Sequence, residues 1–212
     1  MIETAIVSFT TFFATVGPID VAAMFAALTP SATSRMRRGM ALRGILIASI
    51  ILLTFALIGE VLLSSLGISL AALKTAGGIL LLLMGIDMVF ARTSGGISTT
   101  SEEENEAAGK PDISVFPLAT PLIAGPGAMG ASILLMADAK GDLVAQIAVI
   151  SGLVSVMLST LILLLLANQV QKVLGVTGMH VVSRIFGVLL SALAVQFMFD
   201  GIMQSGIFLK IT

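Results

Sequence analysis

The chain of 212 residues has no cysteine, a single histidine, and only 11 basic and 12 acidic side chains. Without cysteine there is no disulfide framework, no zinc–thiolate site and no thiol nucleophile. Charged residues make up 11% of the chain, against about a quarter in soluble domains. That is too little to coat a water-facing surface, so a soluble globular enzyme is excluded. The net charge of −1 supplies no basic field for nucleic acid. Disorder requires low hydrophobicity, and 57% of this chain is hydrophobic. The class that remains is an all-α, polytopic membrane protein.

A bilayer core of roughly 30 Å takes about 20 apolar residues in a helix. Six segments qualify: 5–29, 38–65, 69–91, 113–137, 143–170 and 178–208. Met1–Thr4 carries Glu3 and lacks the basic flank of a secretory signal, so no cleaved leader is expected. Lys and Arg set orientation. Arg35, Arg37, Arg38, Arg43, Arg92, Lys110 and Lys172 fall on one side, and Lys140 and Lys210 on the other. The richer side is read as cytoplasmic, which places both termini outside the cytoplasmic membrane.

The polar stretch 93–112 holds Glu102, Glu103, Glu104 and Glu106 and reads as a solvated cytoplasmic linker. It lacks the ligand spacing of a calcium loop, and no metal site or cofactor is expected. The linker separates two three-span repeats, 1–92 and 113–212. Gly17-Pro18 in span one and Gly125-Pro126 in span four are 108 residues apart. Leu66-Gly67-Ile68-Ser69 answers Leu174-Gly175-Val176-Thr177 at that offset, and Lys74-Thr75-Ala76-Gly77 answers Arg184-Ile185-Phe186-Gly187 at offset 110. Three is odd, so the second repeat enters from the opposite side. The expected architecture is a 3+3 inverted-topology repeat, common in secondary transporters.

Proline stops a helix before it and suits the first position of the next. Spans one and four are therefore expected to be broken helices. Broken backbone at membrane depth is tolerated only inside protein or along a watery cavity. The freed N–H groups near Ile19–Asp20 and Gly127–Ala128 attract carboxylates. The expected substrate site comprises Thr15, Gly17, Pro18, Asp20, Thr120, Gly125, Pro126 and Gly127, with the two threonines adding hydroxyls. Asp20 is the acidic residue nearest mid-membrane, where carboxylates are costly and tend to be functional. It would take a substrate ammonium or a coupling proton; an Asp satisfied within the first helical turn is the plainer alternative. Lys74 and Arg184, deeper in their spans, either snorkel or serve as gating or ion-pair residues. Glu60, Asp87 and Asp200 read as interfacial.

Gly67-Ile68-Ser69 with His180 matches a membrane serine-protease pattern, but helix N-capping by Ser69 and Thr177 explains both hydroxyls, and no enzyme is expected. Two small-residue stripes, Ser151/Ser155/Ser159 and Ser183/Gly187/Ser191, read as packing seams.

Val115-Phe116-Pro117-Leu118-Ala119-Thr120-Pro121, followed by Ala124-Gly125-Pro126-Gly127, resembles the central signature of the MarC family of small six-span membrane proteins. Gly67-Ile68-Ser69 with Lys74-Thr75-Ala76-Gly77-Gly78 resembles its third span, and Ser183-Arg184-Ile185-Phe186-Gly187 with Val195-Gln196-Phe197 its last. The family is also termed a neutral amino-acid transporter family and is distantly similar to lysine exporters. The family commonly has Asn-Pro where this chain has Gly17-Pro18. The resemblance implies a transporter whose partners are membrane lipid and a small neutral solute, such as a small amino acid, with H⁺ or Na⁺ as the coupling ion. An exporter or channel for another compound, and a non-transporting scaffold, stay open, as does a homo-oligomer.

Overall fold

The computed structural model describes residues 2–29, 32–90 and 112–206, and these fold entirely as helices and short connections. In chain order the elements are α1 (Ile2–Val16), α2 (Pro18–Leu28), α3 (Ser34–Ser65), α4 (Leu70–Phe90), α5 (Ser114–Ile123), α6 (Pro126–Asp138), α7 (Leu143–Leu165) and α8 (Ala167–Gln204). Among the described residues, five helical spans are long and apolar enough to cross a membrane, or six when α5 and α6 count as one bent span. The linker expected at 93–112 lies outside the described residues except for Asp112.

Capping chemistry sets the boundaries. Thr33 accepts a hydrogen bond from the Met36 N–H at the start of α3 (3.3 Å), and Asp142 accepts from Val144 and Ala145 at the start of α7. Helix α3 stops at Gly67, whose φ of 74° is left-handed, with the Ile68 N–H returning to the Leu63 carbonyl at 3.0 Å. Ser69 then accepts from the Ala72 N–H at 3.1 Å. The Gly67-Ile68-Ser69 motif is thus a stop and a start between α3 and α4.

The last span differs from expectation. Only a turn at Leu166 separates α7 from α8, and α8 begins at Ala167, so Thr177 lies inside a helix and does not cap one. The residues from His180 onward form the apolar, membrane-length part of α8. The preceding stretch carries Gln, Lys and Asn, polar residues that ended the apolar run without ending the helix.

Packing relies on glycine. Hydrocarbon gives no hydrophobic drive between helices, so close backbone approach must hold them. Helices α4 and α8 run antiparallel along such a seam. A β-carbon at Gly78 would sit 2.7 Å from the Ala194 carbonyl oxygen, one at Gly85 2.8 Å from that of Gly187, and one at Gly201 2.8 Å from that of Ala71. Gly187 and Ser191 of the Ser183/Gly187/Ser191 stripe lie on this seam. The Ser151/Ser155/Ser159 stripe does not pack within the chain: Ser151 and Ser155 are exposed, and all three hydroxyls donate to carbonyls four residues back. Small size made this stripe look like a seam, but satisfied hydroxyls also let it face outward.

Two further close approaches join opposite halves. Gly152 on α7 lies against Ser8 and Phe9 of α1, and Gly44 on α3 against Ser114 and Leu118 of α5. These glycines are 108 residues apart, the spacing of the Gly-Pro pairs.

Candidate functional site

The two Gly-Pro pairs build similar helix starts. Gly17 sits at φ 59°, ψ 57°, a left-handed conformation that costs a residue with a β-carbon about 1–2 kcal/mol. Pro18 opens α2 without an N–H. The Val21 N–H is the first to bond within the new helix, to the Gly17 carbonyl at 2.9 Å. At the second break, Pro126 opens α6, and the Met129 N–H bonds to the Gly125 carbonyl at 3.0 Å. Neither start has a side-chain cap. Helix starts leave their first N–H groups without intrahelical partners, which here means Ile19 and Asp20 in one case and Gly127 and Ala128 in the other.

The approaches to the breaks differ. At the first, the Gly17 N–H still bonds to the Phe13 carbonyl (3.0 Å), and α1 and α2 run on as one span of 27 residues. At the second, α5 winds in wide turns, with Leu118 N–H to Ile113 O at 3.1 Å and Ala124 N–H to Ala119 O at 2.8 Å. Phe116 and Thr120 are extended, as residues before proline are steered to be. The α5–α6 span bends by 56°.

Both breaks face α4. The Met84 thioether lies where a β-carbon at Gly127 would sit. Met88, one turn on and about 6 Å along the same face, lines a small cavity of about 10 Å³ beside the first break. That cavity is bounded by Gly17, Pro18 and Asp20, by Phe13 of α1, and by Ser183 and Phe186 of α8. The half-buried Asp20 carboxylate accepts from the Ser183 hydroxyl, at 2.8 Å to one oxygen and 2.9 Å to the other. The rings of Phe13 and Phe186 stand 4.5 Å apart, tilted by 35°.

Of the expected site residues, the cavity therefore gathers Gly17, Pro18 and Asp20. Thr15 is buried but donates to the Thr11 carbonyl of its own helix at 2.8 Å. Thr120, Gly125, Pro126 and Gly127 form the second break and do not line this cavity. Lys74 is buried and forms an ion pair with Asp138 at the end of α6; Arg184, its counterpart by spacing, is exposed. Glu60 pairs with Lys140 at 2.5 Å, and Arg43 with Asp112 at 2.6 Å. Asp112 also accepts from Ser114, whose hydrogen bonds, more than the Arg43 guanidinium, hold its carboxyl below the usual range.

Sequence reasoning missed Ser183 as a partner of Asp20, having placed it in a packing stripe, and missed Asp138. It also missed Ser8 and Thr11. Both are fully buried, and their hydroxyls have no hydrogen-bond partner, whereas those of Thr15, Ser132 and Thr160 donate to carbonyls four residues back. Ser8, Thr11 and Thr15 share one face of α1, leading to Gly17. A second cavity, about 120 Å³ between α3 and α7, is apolar apart from Ser49.

The family model for MarC family integral membrane proteins matches residues 2–205. The chain belongs to the MarC family. It is 39% identical over 198 residues to a UPF0056 membrane protein of Methanocaldococcus jannaschii, covering 93% of this chain and 95% of that one. It is 33% identical over 200 residues to the UPF0056 membrane protein YhcE of Escherichia coli (92% and 89%) and 30% identical over 187 residues to YvbG of Bacillus subtilis (88% and 88%). No solved structure matches. For this MarC protein the comparisons establish an integral membrane family; the relatives' names specify no solute.

Proposed function

We propose that this MarC protein is a secondary transporter that moves a small neutral solute, a small amino acid, across the cytoplasmic membrane by alternating access between two inverted halves. The observation that carries the reading is the pair of interrupted spans. Each begins its second half with Gly-Pro, leaves first-turn N–H groups without a side-chain cap, and does so against the same face of α4. Such ends are suited to a carboxylate. The solute carboxylate is assigned to the N–H groups at Ile19–Asp20 and Gly127–Ala128, and its ammonium, or a coupling H⁺, to Asp20.

Three features support a cycle between halves. Gly44 and Gly152, at the spacing of the Gly-Pro pairs, each receive the first part of the other half's interrupted span. The ion pairs Lys74–Asp138 and Glu60–Lys140 and the hydrogen bond between Asp20 and Ser183 each join one half to the other. Such contacts can be exchanged when halves rock. The hydroxyls of Ser8 and Thr11 line a face of α1 that leads toward the break.

Reconstitution tests the reading. Purified protein in liposomes is expected to accumulate labelled glycine or alanine under a proton or sodium gradient, and an inverted gradient is expected to reverse the flux. Absence of gradient-dependent flux for any small amino acid would overturn the solute assignment. Saturable flux of a different small compound would favour the exporter reading.

A further inference from the structure

We propose that the groove between α3 and α7, together with Arg35 and Arg38 at its headgroup end, binds one anionic phospholipid. The arginines take the headgroup phosphate and the groove takes an acyl chain. The site stands whether or not the chain transports a solute.

The charge pattern points to an anion. Helix α3 opens Ser-Arg-Met-Arg-Arg, so three arginines crowd the positive end of its dipole, and its first turn holds no acidic residue. With Arg43, the segment 35–43 carries four cations and no anion. Two of the four are answered within the chain: Arg37 donates to the Thr29 carbonyl, and Arg43 pairs with Asp112. Arg35 and Arg38 are exposed, and among the described residues neither has a hydrogen bond or an ion pair. Position on the helix separates the same two pairs. At about 100° per residue, Arg35, Arg38 and Leu42 fall within the arc of about 80° that holds Ile45, Ser49 and Leu53, whereas Arg37 and Arg43 fall outside it. Ile45, Ser49 and Leu53 are the α3 wall of the groove. The unanswered cations and the groove therefore share one face of α3.

Depth and chemistry fit a lipid. Arg38 lies about 10 Å along the axis from Ile45, and Ile45 to Leu53 covers about 12 Å more. Helical side chains lean back toward the N-terminus, which carries the two guanidinium groups to headgroup level while the groove lies in hydrocarbon. Arginine clusters at the membrane end of a helix attract anionic headgroups, and a guanidinium matches phosphate with two parallel hydrogen bonds. The groove opens outward, since Val154 and Leu158 on its α7 wall are 44% and 56% exposed. Its walls are apolar apart from Ser49 and enclose about 120 Å³. An apolar cavity of about 150 Å³ stays dry and accepts an apolar guest, and at this depth the guest at hand is an acyl chain. A soluble anion would meet the arginines and leave the groove unfilled. A zwitterionic lipid would fill the groove but brings a phosphate already paired with its own cation. An anionic phospholipid answers both features.

The chain contains no tryptophan, so a single introduced tryptophan reports on its own surroundings. Leu46, three residues from Ser49 and 61% exposed, stands at the lip of the groove. Leu83 on α4 is also exposed, does not line the groove and serves as the control. Full-length Leu46→Trp and Leu83→Trp are reconstituted in phosphatidylcholine vesicles with increasing fractions of phosphatidylglycerol or phosphatidylcholine brominated in the acyl chains, which quench fluorescence on contact. At Leu46→Trp, phosphatidylglycerol should bind with an advantage of about thirtyfold, roughly fivefold for each arginine. At Leu83→Trp the two lipids should quench alike. Adding Arg35→Gln and Arg38→Gln should abolish the advantage, and adding Ser49→Phe, which fills the groove, should reduce it several-fold with both arginines in place. Equal quenching by the two lipids at Leu46→Trp would overturn the proposal and leave the arginines as orientation signals. The same advantage at Leu83→Trp would overturn it in favour of diffuse surface charge. An advantage untouched by Ser49→Phe would remove the groove, and weak quenching by both lipids at Leu46→Trp would place a second copy of the chain there instead. Should the doubly substituted arginine variant not reconstitute, vesicles in about 1 M sodium chloride, where charges are screened within about 3 Å, decide the point: collapse of the advantage supports the site, and an unchanged advantage overturns it.

Discussion

The two interrupted spans use the same dipeptide differently. At Gly17-Pro18 one left-handed residue absorbs the whole interruption, and the chain continues as a single 27-residue span. At Gly125-Pro126 the glycine is merely extended (φ −80°, ψ 171°), and the interruption spreads backward through Thr120 and Phe116 into a 56° bend. The difference lies upstream of the shared motif. Residues 13–16 contain no proline, so helical bonds persist up to Gly17. Residues 117 and 121 are proline, so α5 loses N–H donors and its pre-proline residues are pushed out of the helical region. A Gly-Pro pair thus fixes where a second half-helix starts, and the preceding residues decide how far the axis turns.

The ends of the second half-helices differ as well, and the largest predicted effect tests that contrast. Helix α6 ends on Asp138, a carboxylate at the negative end of a helix dipole, compensated by Lys74, whose side chain is 3% exposed. Helix α2 is followed at its C-cap by Thr29, whose carbonyl accepts from the Arg37 guanidinium, at 3.0 Å from Nε. Removing one partner of a buried pair strands the other charge. Asp138→Asn should therefore destabilise the fold by about 2–3 kcal/mol, the lower end for such pairs because Asp138 is half-exposed. Lys74→Met, which deletes the buried charge, should cost less. Unfolding in mixed detergent micelles measures both. Equal losses would mean that Lys74 is not held by this pair.

Next in size come the glycines that receive the interrupted spans. A β-carbon at Gly44 would meet the Leu118 side chain at 2.6 Å and the Ser114 carbonyl oxygen at 3.2 Å; one at Gly152 would meet Ser8 Cβ at 3.0 Å and the Phe9 nitrogen at 3.2 Å. Gly44→Ala and Gly152→Ala should each cost about 2 kcal/mol by overpacking. Similar losses from the same micelle measurement would support equivalent halves. A large loss at one site and none at the other would break the equivalence.

The breaks themselves should separate under alanine substitution. Gly17→Ala forces a β-carbon into the left-handed region, at about 1–2 kcal/mol. At Gly127 the clash is with the outer part of the Met84 side chain, which is flexible and can move. Gly127→Ala should therefore cost under about 1 kcal/mol. Thermal unfolding of the two variants in one detergent gives the order, and a reversed order would show that Met84 is as fixed as backbone.

Several of these features were legible in the sequence. The span count, the two Gly-Pro starts and the Ser69 cap followed from hydropathy and from residues with few conformational options. The unequal bends were half legible, since Pro117 and Pro121 stand in plain view but their effect on the axis depends on packing. Ser183 was hidden because a serine among small residues reads as a seam until a carboxylate from another half is placed opposite it. Asp138 was hidden because an acidic residue at a span end is ordinary until a buried lysine is found to need it. The α7–α8 boundary was misplaced because polarity ended the apolar run while the backbone remained helical.

The smallest effect concerns the entrance to the bent span. Asp112 precedes α5, accepts from the N–H of buried Ser114 at 2.9 Å and pairs with Arg43, both charged side chains being exposed. Its carboxyl lies below the usual value, chiefly because Ser114 hydrogen bonds favour the charged form. With the folded pKa below the unfolded one, the unfolded state binds more protons in the window between them. The contribution is therefore complete above the unfolded value of about 4 and is lost as pH falls through the folded value. Exposure and salt screening keep it small. Asp112→Asn should lower melting slightly at pH 7 to 8 and make no difference below the folded value, which flattens the acid limb of the stability curve. No corresponding acidic residue sits at the Gly17 break except Asp20, whose partner is Ser183 on another helix. Equal acid sensitivity in the wild type and Asp112→Asn would mean that the entrance to α5 is held by its prolines and glycine, with no contribution from the carboxylate.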